Sequence, residues 1–407
     1  MDRVSTQEPF VVAQHPRRVI LLGSTGSVGT QGLDVIAQAP ELFTVAALAG
    51  GYNLTLLAKQ AVAFRPELVG CAHEDIDALA QAIESAAAAA GVANYRPQLL
   101  AGSHAASEVA RYDQADVVLN GITGAIGLAP TLAALDAGHL LALANKESLI
   151  IGGEVVKRAA APGQIVPVDS EHSALAQALR GGSSDEVSKL IVTASGGPFH
   201  GYSQAQLADV TPEQALAHPT WDMGRVITTN SASMVNKALE VIEAHLLFDI
   251  PLERIEAVVH RQSMVHSMVE FIDGSTLAQV SPPDMRLPIA LGMNWPHRVS
   301  AAAAACDFSQ AATWTFEPLD EEVFGAIRLA KRAAASSPTH MAVYNAANEV
   351  AVDAFHDRLI RFSDIVPTIE RVLENYTPVA AEPSLELVLD TDRWARTHAT
   401  QLLKENA

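Results

Sequence analysis

The stretch that most restricts this chain lies near its start. Arg18-Val-Ile-Leu-Leu-Gly23 runs straight into Gly23-Ser-Thr-Gly26-Ser-Val-Gly29, and a helical pattern follows from Thr30 to Gln38. A continuous apolar run of this kind reads as a strand buried on both faces, the habit of parallel sheets. Glycines three residues apart let the turn tighten, so that backbone N–H groups can approach a pyrophosphate at a helix N-terminus. The G-x-x-G-x-x-G spacing differs from the commonest dinucleotide fingerprint. Its place between a buried strand and a helix carries the reading.

A second strand, Phe43 to Ala49, ends in Gly50-Gly51-Tyr52-Asn53. This is about where such a fold places the acidic residue that binds the ribose 2′-hydroxyl of NAD. No acid is present, which leaves room for the 2′-phosphate of NADP. From Leu54 to Asn120 helix and strand alternate, with parallel strands expected at Pro66–Gly70 and Ala115–Asn120 and an alanine-rich surface helix at Ile83–Ala90. A further apolar run from Leu140 ends in Asn145-Lys146-Glu147-Ser148, polar residues where a strand's carboxyl end meets a ligand crevice.

At 407 residues the chain is too long for one ordinary core, so two or three domains are expected. Its net charge of −19 argues against nucleic acid or an anionic membrane as a general partner, while leaving space for a local basic pocket that takes a phosphorylated metabolite. Cys71 and Cys306 are too few for a disulfide framework and have no metal-ligand spacing, which fits a reduced cytoplasm. No apolar run is long enough to span a bilayer. The first sixteen residues include Asp2 and Glu8 and lack the apolar core of a signal peptide.

The second landmark is Ile165 to Ala174, IVPVDSEHSA. An apolar run stops at Asp169-Ser170-Glu171, and helix-favouring residues begin at Ala174. In extended chain Asp169 and Glu171 point the same way, so two carboxylates would lie side by side at a strand end. Hard oxygen ligands of this kind suit magnesium or manganese; a capping Asp with a solvated Glu is the plainer alternative. Lys189 to Phe199 is a strand entering a Ser195-Gly-Gly turn, either an anion nest or a simple hairpin. His218 to Arg225, with Trp221 and Met223, suits a lid over a substrate, or a surface loop pinned by a buried Trp. A helix is expected from about Ala232 to Phe248, with Ser231 as N-cap. Met234, Ala238, Val241 and Ile242 would form its apolar face. Asn236, Lys237 and Glu240 share another face, as an ordinary helix salt bridge or as ligands of phosphate and metal. Strands follow at Ala257–His260, Met264–Ile272 and Gly274–Val280, with His260, His266 and His297 read as structural. After a linker near residues 301–320 come amphipathic stretches at Val323–Ala335, Ala342–Arg358 and Phe362–Tyr376, a C-terminal helical bundle.

GSTGSVG, ANKES, PVDSEHSA, ASGGPF, HPTWDMG, NSASMVNKALE and SPPDMRLPI occur in one chain and in that order. The chain thereby resembles the 1-deoxy-D-xylulose 5-phosphate reductoisomerase family over nearly its whole length after Arg18. The resemblance implies an α/β fold with a Rossmann-like NADPH-binding domain (residues 18–168, after a disordered tail over 1–17), a central α+β catalytic domain (169–300), a linker (301–320) and a helical C-terminal domain (321–407). It implies NADPH bound by Thr25, Gly26, Ser27 and Val28, by Gly51 and Asn53, by Asn145 and Glu147, and by Gly224. A divalent cation (Mn2+, Mg2+ or Co2+) would be held by Asp169, Glu171 and Glu240. Lys146 and Ser170 would touch the substrate, with Ser195, His218, Ser231, Asn236 and Lys237 gripping it and its phosphate, and Trp221 and Met223 in the lid. The cation would chelate the ketone and an adjacent hydroxyl, and hydride would reduce the rearranged aldehyde. A homodimer is implied as well. Many members carry Lys where this chain has Tyr52. The rival readings are another NADP-linked dehydrogenase, of semialdehyde or homoserine type, and a non-catalytic NADP sensor.

Overall fold

The computed structural model describes residues 15–221 and 224–405. Most of the tail expected over 1–17, together with Met223 of the expected lid, lies outside the described residues. Seven short apolar strands form the first sheet: β1 (Arg17–Leu22), β2 (Phe43–Gly50), β3 (Leu68–Cys71), β4 (Gln98–Ala101), β5 (Val117–Asn120), β6 (Leu140–Leu143) and β7 (Ile165–Pro167). Their order is β4-β3-β2-β1-β5-β6-β7 and every pairing is parallel. The strands are connected by α1 (Ser27–Gln38), α2 (Leu54–Phe64), α3 (Ile76–Ala89), α4 (Ala105–Ala110), α5 (Leu128–Asp136) and α6 (Lys146–Ala159), which cover both faces. Strand order reverses between β1 and β5, the place where open α/β sheets bind ligands. Gly23 sits at that point with φ +75°, and a Cβ on it would lie 2.8 Å from the Gly121 carbonyl oxygen, so only glycine fits.

After α7 (Ser170–Ala178) the chain builds a second, mixed sheet from β8 (Val187–Ala194), β9 (Ile255–Val259), β10 (Val265–Phe271), β11 (Thr276–Val280) and β12 (Glu317–Pro318), in the order β11-β10-β8-β9-β12. β8 and β9 run parallel, and the other pairs are antiparallel. Between β8 and β9 lie α8 (Gln204–Leu207), α9 (Pro212–Ala215), α10 (Arg225–Ala232) and α11 (Val235–Phe248). The helix after β11, α12 (Arg286–Asn294), returns to the first sheet: Ile289, Ala290 and Met293 share a buried cluster with Val19, Leu119 and Val168. That return clamps the two sheets together, with the carboxyl ends of the first sheet and of β8 facing one cleft. The helices α13 (Ala326–Ser336), α14 (His340–His356), α15 (Ile365–Glu374) and α16 (Leu385–Glu405) complete the chain and pack with α11 and β8 in one core. The parallel first sheet, mixed second sheet and terminal helices are the architecture expected from the apolar patterning.

Two local expectations change. The strand at Ile165 ends at Pro167, and Asp169 already caps a helix that begins at Ser170, so Asp169 and Glu171 are not alternate residues of extended chain. The helix expected from Ala232 begins at Val235 instead: Ala232 closes α10, and Met234 between the two helices has a left-handed φ of +62°. Ser231 therefore lies in the last turn of α10 and is not an N-cap.

Candidate active site

The cleft between the sheets encloses about 630 Å³ and is lined from both of them, a usual size for a small-molecule site. On the side of the first sheet the key feature is the start of α1. Its N-cap is Gly26, with no side-chain cap and no acid in the first turn. By contrast α2, α3, α6 and α7 begin under Asn53, Asp75, Asn145 and Asp169, whose side chains occupy the first amides. The α1 amides thus remain available to an anion, and the helix dipole favours one there. Ser27 and Val28 of this turn line the cleft. A dinucleotide pyrophosphate fits such a turn.

Deeper in, charged side chains from three helices meet. Asn145 is buried; it accepts from Ser148 N at 2.8 Å and donates to the Gly124 carbonyl at 3.0 Å, locking the start of α6. That lock aims Lys146 at Asp169 (2.5 Å), Glu240 (3.1 Å) and the Asn236 side-chain oxygen (3.1 Å). Lys237 reaches Glu171 at 2.8 Å and also pairs with Glu240. One oxygen from each of Asp169, Glu171 and Glu240 lies within 4.8 Å of the others. The three carboxylates are a donor set that suits a hard divalent cation, and here the Lys146 and Lys237 ammonium groups supply the positive charge among them.

Electrostatics follow from this packing. Burial opposes charge on Lys146 and Lys237, but the carboxylates around them outweigh it and hold both pKa values above the ordinary range. For Asp169 and Glu171 burial likewise acts against the charge, yet Lys146 and Lys237 respectively hold these carboxyls below theirs. Glu240 is pushed up, first by burial and then by the charge of Glu171.

The far wall comes from the second sheet. Gly196 and Gly197 follow β8 with φ of +78° and +63°, and a Cβ on Gly197 would sit 2.8 Å from the Ser231 carbonyl oxygen. This close approach joins the Ser195 turn to α10. Ser195 Oγ accepts from Gly197 N at 3.2 Å and lies 3.0 Å from His218 Nε2. His218 Nδ1 accepts the backbone N–H groups of Thr220 (3.1 Å) and Trp221 (2.9 Å), so a neutral ring carries its proton on Nε2 and donates to Ser195. Burial lowers the His218 pKa, in keeping with that neutral form. Trp221 is half-buried, its ring 6.3 Å from that of His266.

Comparison with known proteins fixes the relationship. A family model described as 1-deoxy-D-xylulose 5-phosphate reductoisomerase matches residues 19–153, and models of the same family's C-terminal domains match 165–248 and 280–398. A protein of that name from Paenarthrobacter aurescens is 62% identical over 96% of this chain and 99% of its own length. The chain belongs to this family. Another member, from Rhodococcus jostii, is 56% identical over 97% of this chain and 96% of its own. Among solved structures, the enzyme from Zymomonas mobilis in complex with NADPH superposes with a TM-score of 0.87 at 41% identity, covering 96% and 99% of the two chains. A reductoisomerase in complex with NADPH, fosmidomycin and magnesium has a TM-score of 0.87 at 34% identity, covering 95% and 98%.

Of the residues singled out in the sequence, Ser27, Val28, Lys146, Asp169, Ser170, Glu171, Ser195, His218, Trp221, Gly224, Ser231, Asn236, Lys237 and Glu240 all line the cleft. Thr25, Gly26, Asn145 and Glu147 belong to the adjoining strand-to-helix turns. Gly51 and Asn53 follow β2, farther along the same sheet edge, where Asn53 caps α2 by accepting from Leu56 N at 3.1 Å. The Lys237–Glu240 pair is buried, unlike an ordinary surface salt bridge. His266, read as structural from the sequence, also lines the cleft; no ligand spacing signals it. His172 and Glu243 were not singled out, although Glu243 stands one helical turn from Glu240. Arg286, paired with Asp284 and lining the cleft, falls within SPPDMRLPI, but the motif gave it no role.

Proposed function

We propose that this protein converts 1-deoxy-D-xylulose 5-phosphate to 2-C-methyl-D-erythritol 4-phosphate, rearranging its carbon skeleton and reducing it with NADPH and a divalent cation, on the non-mevalonate route to isoprenoid precursors. The observation that carries this reading is the meeting of Asp169, Glu171 and Glu240 with Lys146 and Lys237 in the cleft that also holds the uncapped start of α1. Asp169, Glu171 and Glu240 would hold the cation; Thr25, Gly26, Ser27, Val28, Gly51, Asn53, Asn145, Glu147 and Gly224 would hold NADPH. When bound, the cation supplies Lewis acidity to the substrate oxygens and the cofactor supplies hydride.

The chain's own residues have separate tasks. Lys146 and Ser170 meet the reacting end of the substrate; in the metal-free protein the carboxylates around Lys146 hold its pKa above the ordinary range. Ser195, His218, Ser231, Asn236 and Lys237 take the phosphate end. Binding energy gained there orders the reacting end, which raises turnover as well as affinity. Trp221 and Met223 close over the substrate and exclude water. The protein is a homodimer in this reading, supported by β11, an edge strand with Leu277 exposed. A cytoplasmic location suits the two free cysteines. No described helix is long and apolar enough to cross a membrane.

The decisive experiment follows NADPH oxidation with 1-deoxy-D-xylulose 5-phosphate, with and without manganese. Turnover that a chelator abolishes and manganese restores is expected. Metal-independent oxidation would favour a simple dehydrogenase, and binding of NADPH with no turnover would favour a sensor.

A further inference from the structure

The proposed ligands come from two helices, α7 and α11, and something must fix the distance between them. Lys237 ties Glu171 to Glu240, but it does so through the ligand carboxylates themselves. His172 makes a tie that spares their oxygens. Its Nε2 donates to the main-chain carbonyl of Glu240 at 2.8 Å, since a carbonyl can only accept. Its Nδ1 lies 3.1 Å from Glu243 Oε2 and 3.6 Å from Asp169 Oδ2. Glu243 is fully buried, one turn beyond Glu240 on α11. Among the described residues neither of its oxygens has a hydrogen-bond partner of good geometry, and the group that faces it within ion-pair distance is the His172 Nδ1.

We propose that Glu243 is a positioning residue for the cation site, acting through His172; this rests on reading Asp169, Glu171 and Glu240 as the ligands. A buried carboxyl group whose one close polar neighbour is an imidazole is a costly choice, and an apolar side chain of similar shape packs such a place at lower cost. What the carboxylate supplies is orientation. With Nε2 committed to the Glu240 carbonyl, the attraction between Nδ1 and Glu243 fixes the plane of the imidazole. That plane sets how the ring meets Asp169 and how far the start of α7 stands from α11. Groups that hold ligand side chains in this way typically change metal affinity about 10–100-fold when removed.

Asp169, His172 and Glu243 also offer one ligand atom each within 4.8 Å of one another, so a second cation is the competing account. Calorimetric titration of the metal-free full chain with Mn2+ separates the two. Wild type should bind one ion and Glu240→Gln none. Glu243→Gln should bind roughly tenfold more weakly or worse, with NADPH affinity and thermal melting unchanged, and with more Mn2+ needed to reach an unchanged maximal rate. Glu243→Asp should fall between, and it decides the matter by the same comparison if Glu243→Gln does not fold. Wild-type Mn2+ affinity in the Glu243 variants, with Glu240→Gln defective, overturns the positioning role and leaves the ligand set standing. Wild-type affinity in Glu240→Gln as well overturns both. Two ions per wild-type chain, one lost in Glu243→Gln, would make Glu243 a ligand and also overturn the proposal.

Discussion

The glycine turn after β1 and the charge cluster at the start of α7 share one cleft but are built in opposite ways. The turn is a single contiguous stretch, Gly23 to Gly29, and offers main-chain amides with no ionisable side chain. Nothing must be rearranged for it to stand empty, because water can satisfy exposed amides. The cluster draws Lys146, Asp169, Glu171, Lys237 and Glu240 from three helices and places them at ion-pair distance with little solvent. Two unit charges 4 Å apart at an effective dielectric constant of 20 interact by about 4 kcal/mol, so such a set cannot stand as carboxylates alone. Its two lysines offset most of that charge, and any cation that enters must exchange with them. A main-chain site is thus preformed at no electrostatic cost, whereas a side-chain site is preformed only as a network of mutual partners.

The largest expected effect breaks the cluster and spares the turn. Glu240→Gln should lower turnover by orders of magnitude and abolish Mn2+ binding, while NADPH affinity stays at the wild-type value. From sequence alone, three crowded negative charges suggest that neutralising one leaves the metal-free protein as stable or slightly more so. With Lys146 and Lys237 in place, the remaining Asp169 and Glu171 still match two lysines, so a melting temperature near wild type is expected. Wild-type Mn2+ affinity together with near-normal turnover would remove Glu240 from the site.

A second effect concerns Trp221, which lines the cleft shared by both regions and is proposed to close over the substrate. Trp221 is half-buried, so Trp221→Ala should fall well short of the roughly 3–5 kcal/mol lost when a core aromatic is removed. Turnover should drop about tenfold or more, because closure no longer excludes water. His218→Ala should act in the same direction, since its Nδ1 organises the Thr220 and Trp221 amides. Thermal melts run beside the rate measurements distinguish a lid residue from a core residue.

Acid sharpens the comparison further, because the cluster titrates and the glycine turn does not. Asp169 and Glu171 have folded pKa values held below their ordinary values near 4, burial being outweighed by the lysines. The sign follows by linkage: their contribution to stability is full above about pH 4 and is lost as pH falls through the folded values. Metal-free wild type should therefore lose melting temperature steeply below about pH 4, and Asp169→Asn should show a shallower decline. Equal slopes for the two proteins would contradict the ion-paired cluster.

The same division decides what could be read from the chain. Gly23 to Gly29 and the long apolar runs of β1, β2 and β8 were legible because each is a local pattern whose period and punctuation survive without tertiary context. β4, four residues long and none of them buried, carries too little pattern to be picked out. Asp169 and Glu171 do converge, but as the cap and first turn of a helix. The sequence Val168-Asp169-Ser170-Glu171 supports strand alternation and helix capping equally well, and tertiary context chose the cap. The break at Met234 has no Gly or Pro to announce it, and burial of that side chain holds the left-handed backbone. His172 and Glu243 gain meaning only when α7 lies against α11.

The smallest expected effect probes the turn after β2, where the family resemblance implies a Lys and this chain has Tyr52. Tyr52 is 77% exposed on the turn after β2, and Gly51 beside it has open space around it. Neither has a packing role, and Asn53 caps α2 whatever residue precedes it. Tyr52→Lys should therefore leave the melting temperature unchanged. It adds a cation where a 2′-phosphate is expected, and an exposed charge pair contributes up to about 1 kcal/mol, roughly fivefold in affinity. The KM for NADPH should fall by about that factor at low salt and less at high salt, because exposed pairs are screened. The KM for NADH, which has no 2′-phosphate, should not move. Equal improvement with both cofactors would mean that the new lysine meets some other part of the dinucleotide. No change with either would place the 2′-phosphate away from this turn and confine the cofactor's grip to the glycine turn and the Asn145–Glu147 segment.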